Sequence, residues 1–92
     1  MMSIRSVSAY RKSYKRFSKS GRFPVQKLDD VIDALARGEK LNASLKDHSL
    51  SGKFAGCREC HIKSDLLLVY KIESNNLVLV LINLGSHPGL FE

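Results

Sequence analysis

The stretch DLLLVYKIESNNLVLVLI, residues 65–82, decides the fold. Two apolar runs, 65–72 and 77–82, flank the polar tetrapeptide Glu73-Ser74-Asn75-Asn76. Short β-rich runs bounded by Ser/Asn turn residues read as paired strands. The runs are continuously apolar rather than alternating, which marks central strands covered on at least one face. Just upstream, residues 58–63 alternate and predict a third strand. Residues 39–56 have no sustained period and read as a loop with room for one helical turn.

Further upstream the period changes to that of a helix. Tyr10, Tyr14 and Phe17 recur at i, i+4 and i+7, with Arg11, Lys12, Lys15, Arg16 and Lys19 around them. Such a stripe must be buried, so the three aromatics are expected in the core rather than on a ligand. Ser8 suits the N-cap and Gly21 the stop. Pro24 fits the first turn of a second helix carrying Val25, Leu28, Val31, Ile32, Leu35 and Ala36 on one face, closed by Gly38. Residues 2–8 can form a short first strand, and residues 85–92 a polar tail. The predicted fold is α+β, β-α-α-β-β-β, with a two-helix hairpin (residues 9–37) packed on a twisted antiparallel sheet in a single domain, 1–92.

Charge is distributed unevenly. Residues 1–27 hold eight basic side chains and no acidic one, whereas residues 28–92 hold seven basic and nine acidic. A polyanion or an acidic protein is the partner such a surface attracts, and a solvated helix face is the plain alternative. No stretch suits a signal peptide or a membrane span, so a cytoplasmic protein with no membrane partner is expected.

Residues 57–61, CRECH, match the haem-attachment pattern and contain half a zinc motif. Structural zinc requires about four ligands, and the spacing to His48 or His87 fits no common finger. Residues three apart on a strand face opposite ways, so Cys57 and Cys60 are expected to pack, with no haem or metal and no other cofactor. His61 then lies on the face opposite Cys60. His48, in the loop before the sheet, His61 and Asp65, flanking a tight strand connection, and His87, after the last strand, can converge at one sheet face. RNA cleavage by a 2′-hydroxyl needs a base, an acid for the leaving 5′-oxygen, and positive charge at the phosphate. Three histidines, an aspartate and a basic surface supply those types.

The run from Lys46-Asp47-His48 through Gly52, Phe54 and Gly56-Cys57-Arg58-Glu59-Cys60-His61-Ile62 to Asp65-Leu66-Leu67-Leu68-Val69-Tyr70 resembles the YafQ branch of the RelE-type bacterial toxins. The ending Gly85-Ser86-His87-Pro88-Gly89-Leu90-Phe91 resembles the same branch. The match covers residues 42–92, and the β-α-α opening suits the rest. The resemblance implies a metal-independent, ribosome-dependent mRNA endonuclease with a cognate antitoxin. It implies catalytic roles for His48, His61, Asp65 and His87, and a substrate contact for Phe91. His87 is expected as the general acid, with Asp65 or His48 as the base or its orienting group, and His61 supporting the phosphate. Arg58 is the motif arginine, serving either the fold through a carboxylate or the substrate. Two positions depart from the pattern: Leu66 stands where an aromatic is usual, and Asn83 where a basic residue is common. Lys53, Lys63 or Lys71 could replace that cation at the substrate. The basic N-terminal helix would meet ribosomal RNA or an acidic, partly disordered antitoxin. The alternatives within the fold are a ParE-like gyrase inhibitor and a non-catalytic RNA- or protein-binding member.

Overall fold

The computed structural model describes residues 1–21 and 23–91, with backbone alone at positions 89 and 91. The chain order is β1 (Ser3–Ser6), α1 (Ser8–Ser18), α2 (Val25–Ala36), β2 (His48–Ser49), β3 (Arg58–Lys63), β4 (Leu66–Glu73), β5 (Val78–Gly85) and α3 (His87–Phe91). Single 3₁₀ turns at Ala43–Leu45 and Gly52–Phe54 punctuate the segment before β3. The strands form one sheet in the order β1-β5-β4-β3-β2.

The α+β class and the two-helix layer match the expectation. The sheet is mixed, not wholly antiparallel, because β1 joins the free edge of β5 in parallel, Ser3 opposite Val78 through Ser6 opposite Leu81. Apolar patterning sets which face a strand buries but carries no information on pairing direction. Three further elements differ from the expected outline. The segment 39–56 contributes the edge strand β2, paired with β3. Strand β5 runs on to Gly85. The tail forms α3, where Pro88 sits in a first turn that tolerates it.

Each helix start lies one residue from its expected cap. Val7 occupies the N-cap of α1, and Pro24 that of α2. The end of α2 is as expected: Gly38, at φ +76, donates to the Leu35 carbonyl while Glu39 donates to that of Ala34. That pair of bonds is the Schellman stop, which a left-handed glycine permits. The β4–β5 turn uses Ser74, Asn75 and Asn76, all at positive φ. Asparagine tolerates this conformation because its side chain can bond locally.

The core lies between helices and sheet. Leu28, Val31, Ile32, Leu35 and Ala36 of α2 and Tyr10 of α1 pack on Cys60, Ile62, Leu66, Leu68, Tyr70, Leu79, Leu81 and Leu84. Tyr14 and Phe17 are half-buried against this cluster, with Phe23 stacked on Phe17 and edge-on to Tyr14. The opposite face of the central strands is also apolar: Leu67, Val69 and Val80 are buried there. That second face carries Glu59 and His61 of β3, because a strand alternates its side chains.

Candidate active site

Strand β3 alternates as its sequence demands. Cys60 and Ile62 point into the core, and Glu59 and His61 lie on the other face. Pairing places Glu59 opposite Val69 on one side and opposite His48 of β2 on the other. Glu59 is 4% exposed, the one buried charged side chain among the described residues. Its Oε1 lies 3.1 Å from His48 Nε2 and 3.8 Å from His61 Nε2. Its Oε2 has no hydrogen-bond partner among the described residues. A buried, half-satisfied carboxylate costs free energy, and such costs concentrate at functional sites.

The orientation of His48 is set locally. Its Nδ1 lies 2.8 Å from the Lys46 carbonyl, which can only accept, so Nδ1 carries a hydrogen. Nε2 faces a carboxylate, which also accepts, so a proton taken up there would lie between His48 and Glu59. Lys46 itself takes a left-handed backbone, φ 51. The next residue, Asp47, is clamped: its Oδ1 accepts from Arg58 Nε at 3.1 Å, and both oxygens lie 2.8 Å from the Tyr70 hydroxyl. Burial and then Asp47 push the Tyr70 hydroxyl well above its ordinary value, so it remains a donor. Burial disfavours charge on Arg58, but Tyr70 and Asp47 outweigh it and keep the guanidinium protonated. Of the two roles open to Arg58, the contact observed is the carboxylate one. It posts the 46–48 segment against the sheet.

His48, Glu59 and His87 line one cavity of about 240 Å³, together with Leu50, Ser51 and Phe54. His87 enters it from the first position of α3. Three of the four expected catalytic residues therefore gather around Glu59: His48, His61 and His87. Asp65 is exposed in the β3–β4 turn and lines a different cavity of about 500 Å³ with Lys63, Phe17 and Phe23. Lys53 sits over the ring of Phe54, 5.6 Å from its centroid; Phe54 lines the histidine cavity, and Lys53 does not. Lys71 is tied to Glu73 at 2.7 Å. The side chain of Phe91 lies outside the described residues.

Glu59 is the residue that sequence reasoning passed over. Its signal was available: it stands two residues before His61 on an alternating strand, hence on the same face. The pairing with His48 was not visible without the register. The cysteines go elsewhere. Cys60 is buried among core residues, and burial, followed by the charges of Asp47 and Glu59, pushes its thiol up to about 12. Cys57 lies outside β3, so the two do not share a face as a chelating pair. Among the described residues, no group of three or more His, Cys, Asp or Glu side chains is arranged to hold a metal ion.

Comparison with known proteins bears on this arrangement. The family model for the bacterial toxin of type II toxin–antitoxin systems, YafQ, matches residues 2–92. The chain belongs to the YafQ family. Over 51 residues it is 37% identical to the mRNA interferase toxin YafQ of Escherichia coli (strain K12), a match covering 55% of this chain and 53% of that protein. The chain thus spans about half the length of that curated relative. The crystal structure of a metal-bound toxin from Helicobacter pylori is 40% identical, covers 99% of this chain and 100% of its own, and superposes with TM-score 0.90. YafQ in the E. coli DinJ–YafQ complex is 27% identical over the whole of both chains, TM-score 0.88. The two helices on a five-stranded mixed sheet are the YafQ fold. No described helix is long and apolar enough to cross a membrane.

Proposed function

We propose that this chain is a ribosome-dependent endoribonuclease that cuts mRNA in the ribosomal A site. The observation that carries the proposal is the buried Glu59 carboxylate between His48 and His61, on a cavity shared with His87. The His48–Glu59 pair takes the proton of the attacking 2′-hydroxyl. The 2′-oxygen bonds to phosphorus, the bond from phosphorus to the 5′-oxygen breaks, and His87 protonates that oxygen. The products are a 2′,3′-cyclic phosphate and a 5′-hydroxyl. His61 helps hold the Glu59 charge and borders the phosphate. Each proton transfer is assigned to a side chain, so the reaction is proposed to run without a metal ion. Each such acid–base role is worth about 10²–10⁴-fold in rate.

Asp65 and Lys63, at the neighbouring cavity, are proposed to meet the RNA beyond the cleaved bond, with Lys53 and Phe91 as further substrate contacts. The basic side chains of α1 suit the phosphates of ribosomal RNA, a contact that weakens steeply with salt. The protein partner is proposed to be a cognate antitoxin, as DinJ is for the E. coli relative. The test is primer extension on an mRNA under translation in a purified system, with wild type and His87→Ala. Cuts inside codons that require ribosomes and vanish in the variant are the expected result. Absence of cuts while expression still arrests growth would overturn it in favour of a gyrase-type target.

A further inference from the structure

We infer that Arg16, on α1, is the cation that holds the scissile phosphate. This rests on the nuclease reading above and adds the group it lacks. Attack by the 2′-oxygen places extra negative charge on the phosphate oxygens, and a positioned cation is the usual means of stabilising it. The walls of the histidine cavity contain no Lys or Arg among the described residues, and Glu59 there repels an anion. The cation must reach in from outside.

Several basic residues near the sheet are engaged elsewhere. Arg58 is bound to Asp47, Lys71 is tied to Glu73, and Lys63 lines the other cavity. Lys53 lies on a 3₁₀ turn, and its ammonium is a flexible point charge. Arg16 is in none of the ion pairs among the described residues, and the cavity it lines, though not the histidine cavity, reaches the residue next to His87. It lines a cavity of about 240 Å³ with Ser13, Asn83 and Ser86, and Ser86 immediately precedes His87. Its guanidinium rests over the Phe17 ring, 5.1 Å from the centroid, which restricts its orientation. Ser13, one turn earlier on the same helix, donates to Asn83 Oδ1 at 2.9 Å, and the Leu84 amide donates to the same oxygen at 2.8 Å. These bonds fasten α1 to the end of β5 that leads into His87. A neutral residue therefore occupies position 83, and an arginine from the adjacent helix stands beside it. The planar guanidinium matches a phosphate bidentately.

The experiment is single-turnover cleavage of a translated mRNA at saturating toxin, with wild type, Arg16→Ala, Arg16→Lys, His87→Ala and the double variant Arg16→Ala/Asn83→Arg. Arg16 is exposed, so thermal midpoints by circular dichroism should equal the wild type. Arg16→Ala should lower the saturated rate by about 10²–10³, with Arg16→Lys intermediate. Adding Asn83→Arg should recover at least about tenfold, because the charge returns from the neighbouring wall. A merely structural or ribosome-docking arginine predicts no such recovery, and its loss would vanish at saturation. If His87→Ala abolishes cleavage while Arg16→Ala stays within about threefold of wild type, or if Asn83→Arg recovers nothing, the inference falls alone. If wild type makes no ribosome-dependent cuts, the nuclease reading falls and takes the inference with it; if His87→Ala cleaves normally, the general-acid assignment of His87 falls.

Discussion

Replacing Glu59 by glutamine separates a chemical role from a structural one, because the first predicts a loss of cleavage and the second a loss of stability. The substitution preserves volume and removes the charge. In the native chain Oε1 lies 3.1 Å from His48 Nε2, and a hydrogen bond to a charged group contributes about 1.5–3 kcal/mol. Against that stands Oε2, buried without a partner, whose desolvation costs about 1–3 kcal/mol. Glutamine keeps an oxygen that faces His48 in a weaker, neutral contact, and it leaves the second polar atom buried but uncharged, so Glu59→Gln should change unfolding free energy by no more than about 1 kcal/mol, or about 4–8 °C in Tm for a domain of this size. Cleavage should fall by about 10²–10⁴, because the amide cannot share the proton exchanged with His48. The assay pairs urea unfolding with single-turnover cleavage on the same preparations. A loss of more than about 3 kcal/mol with cleavage retained within about tenfold would refute the assignment and make Glu59 a structural carboxylate.

Two other outcomes follow from the same coordinates. Tyr70→Phe removes the hydroxyl that donates to Asp47, and should cost about 1.5–3 kcal/mol by urea unfolding; a double-mutant cycle with Asp47→Asn should show most of that energy to be shared. Stability should decline in alkali. Burial holds the Cys60 thiol and the Tyr10 hydroxyl at about 12, whereas an unfolded thiol loses its proton near 8.5 and a tyrosine near 10. Both folded values are raised, so their contribution is complete below the unfolded values and is lost as pH climbs from about 8.5 towards 12. Urea midpoints measured from pH 7 to 11 check this, and Cys60→Ala should remove the part of the decline that begins below pH 10; an unchanged profile in that variant would count against it.

The sequence by itself determined what depends on near neighbours. The apolar runs at 65–72 and 77–82 specified β4 and β5 with their turn, since hydrophobic period and Ser/Asn turn chemistry act within a few residues. The aromatic stripe of α1 and the α2 face were legible for the same reason, as were the concentration of positive charge in residues 1–27 and the separation of Cys60 from His61 across β3. Arg58 was legible as a residue with two possible partners, but not which one it takes. Only the tertiary structure decided the rest. That β1 lies parallel to β5 depends on which sheet edge stays free after the other strands pair. That His48 faces Glu59 depends on the β2–β3 register, formed by two residues of a segment with no period of its own. Asp65 and Glu59, six residues apart, line different cavities because the hairpin turns between them, while His48 and His87, 39 positions apart in the numbering, share one. Side-chain alternation is a local property of the backbone, whereas the convergence of a site is set by strand pairing and helix packing over the whole chain.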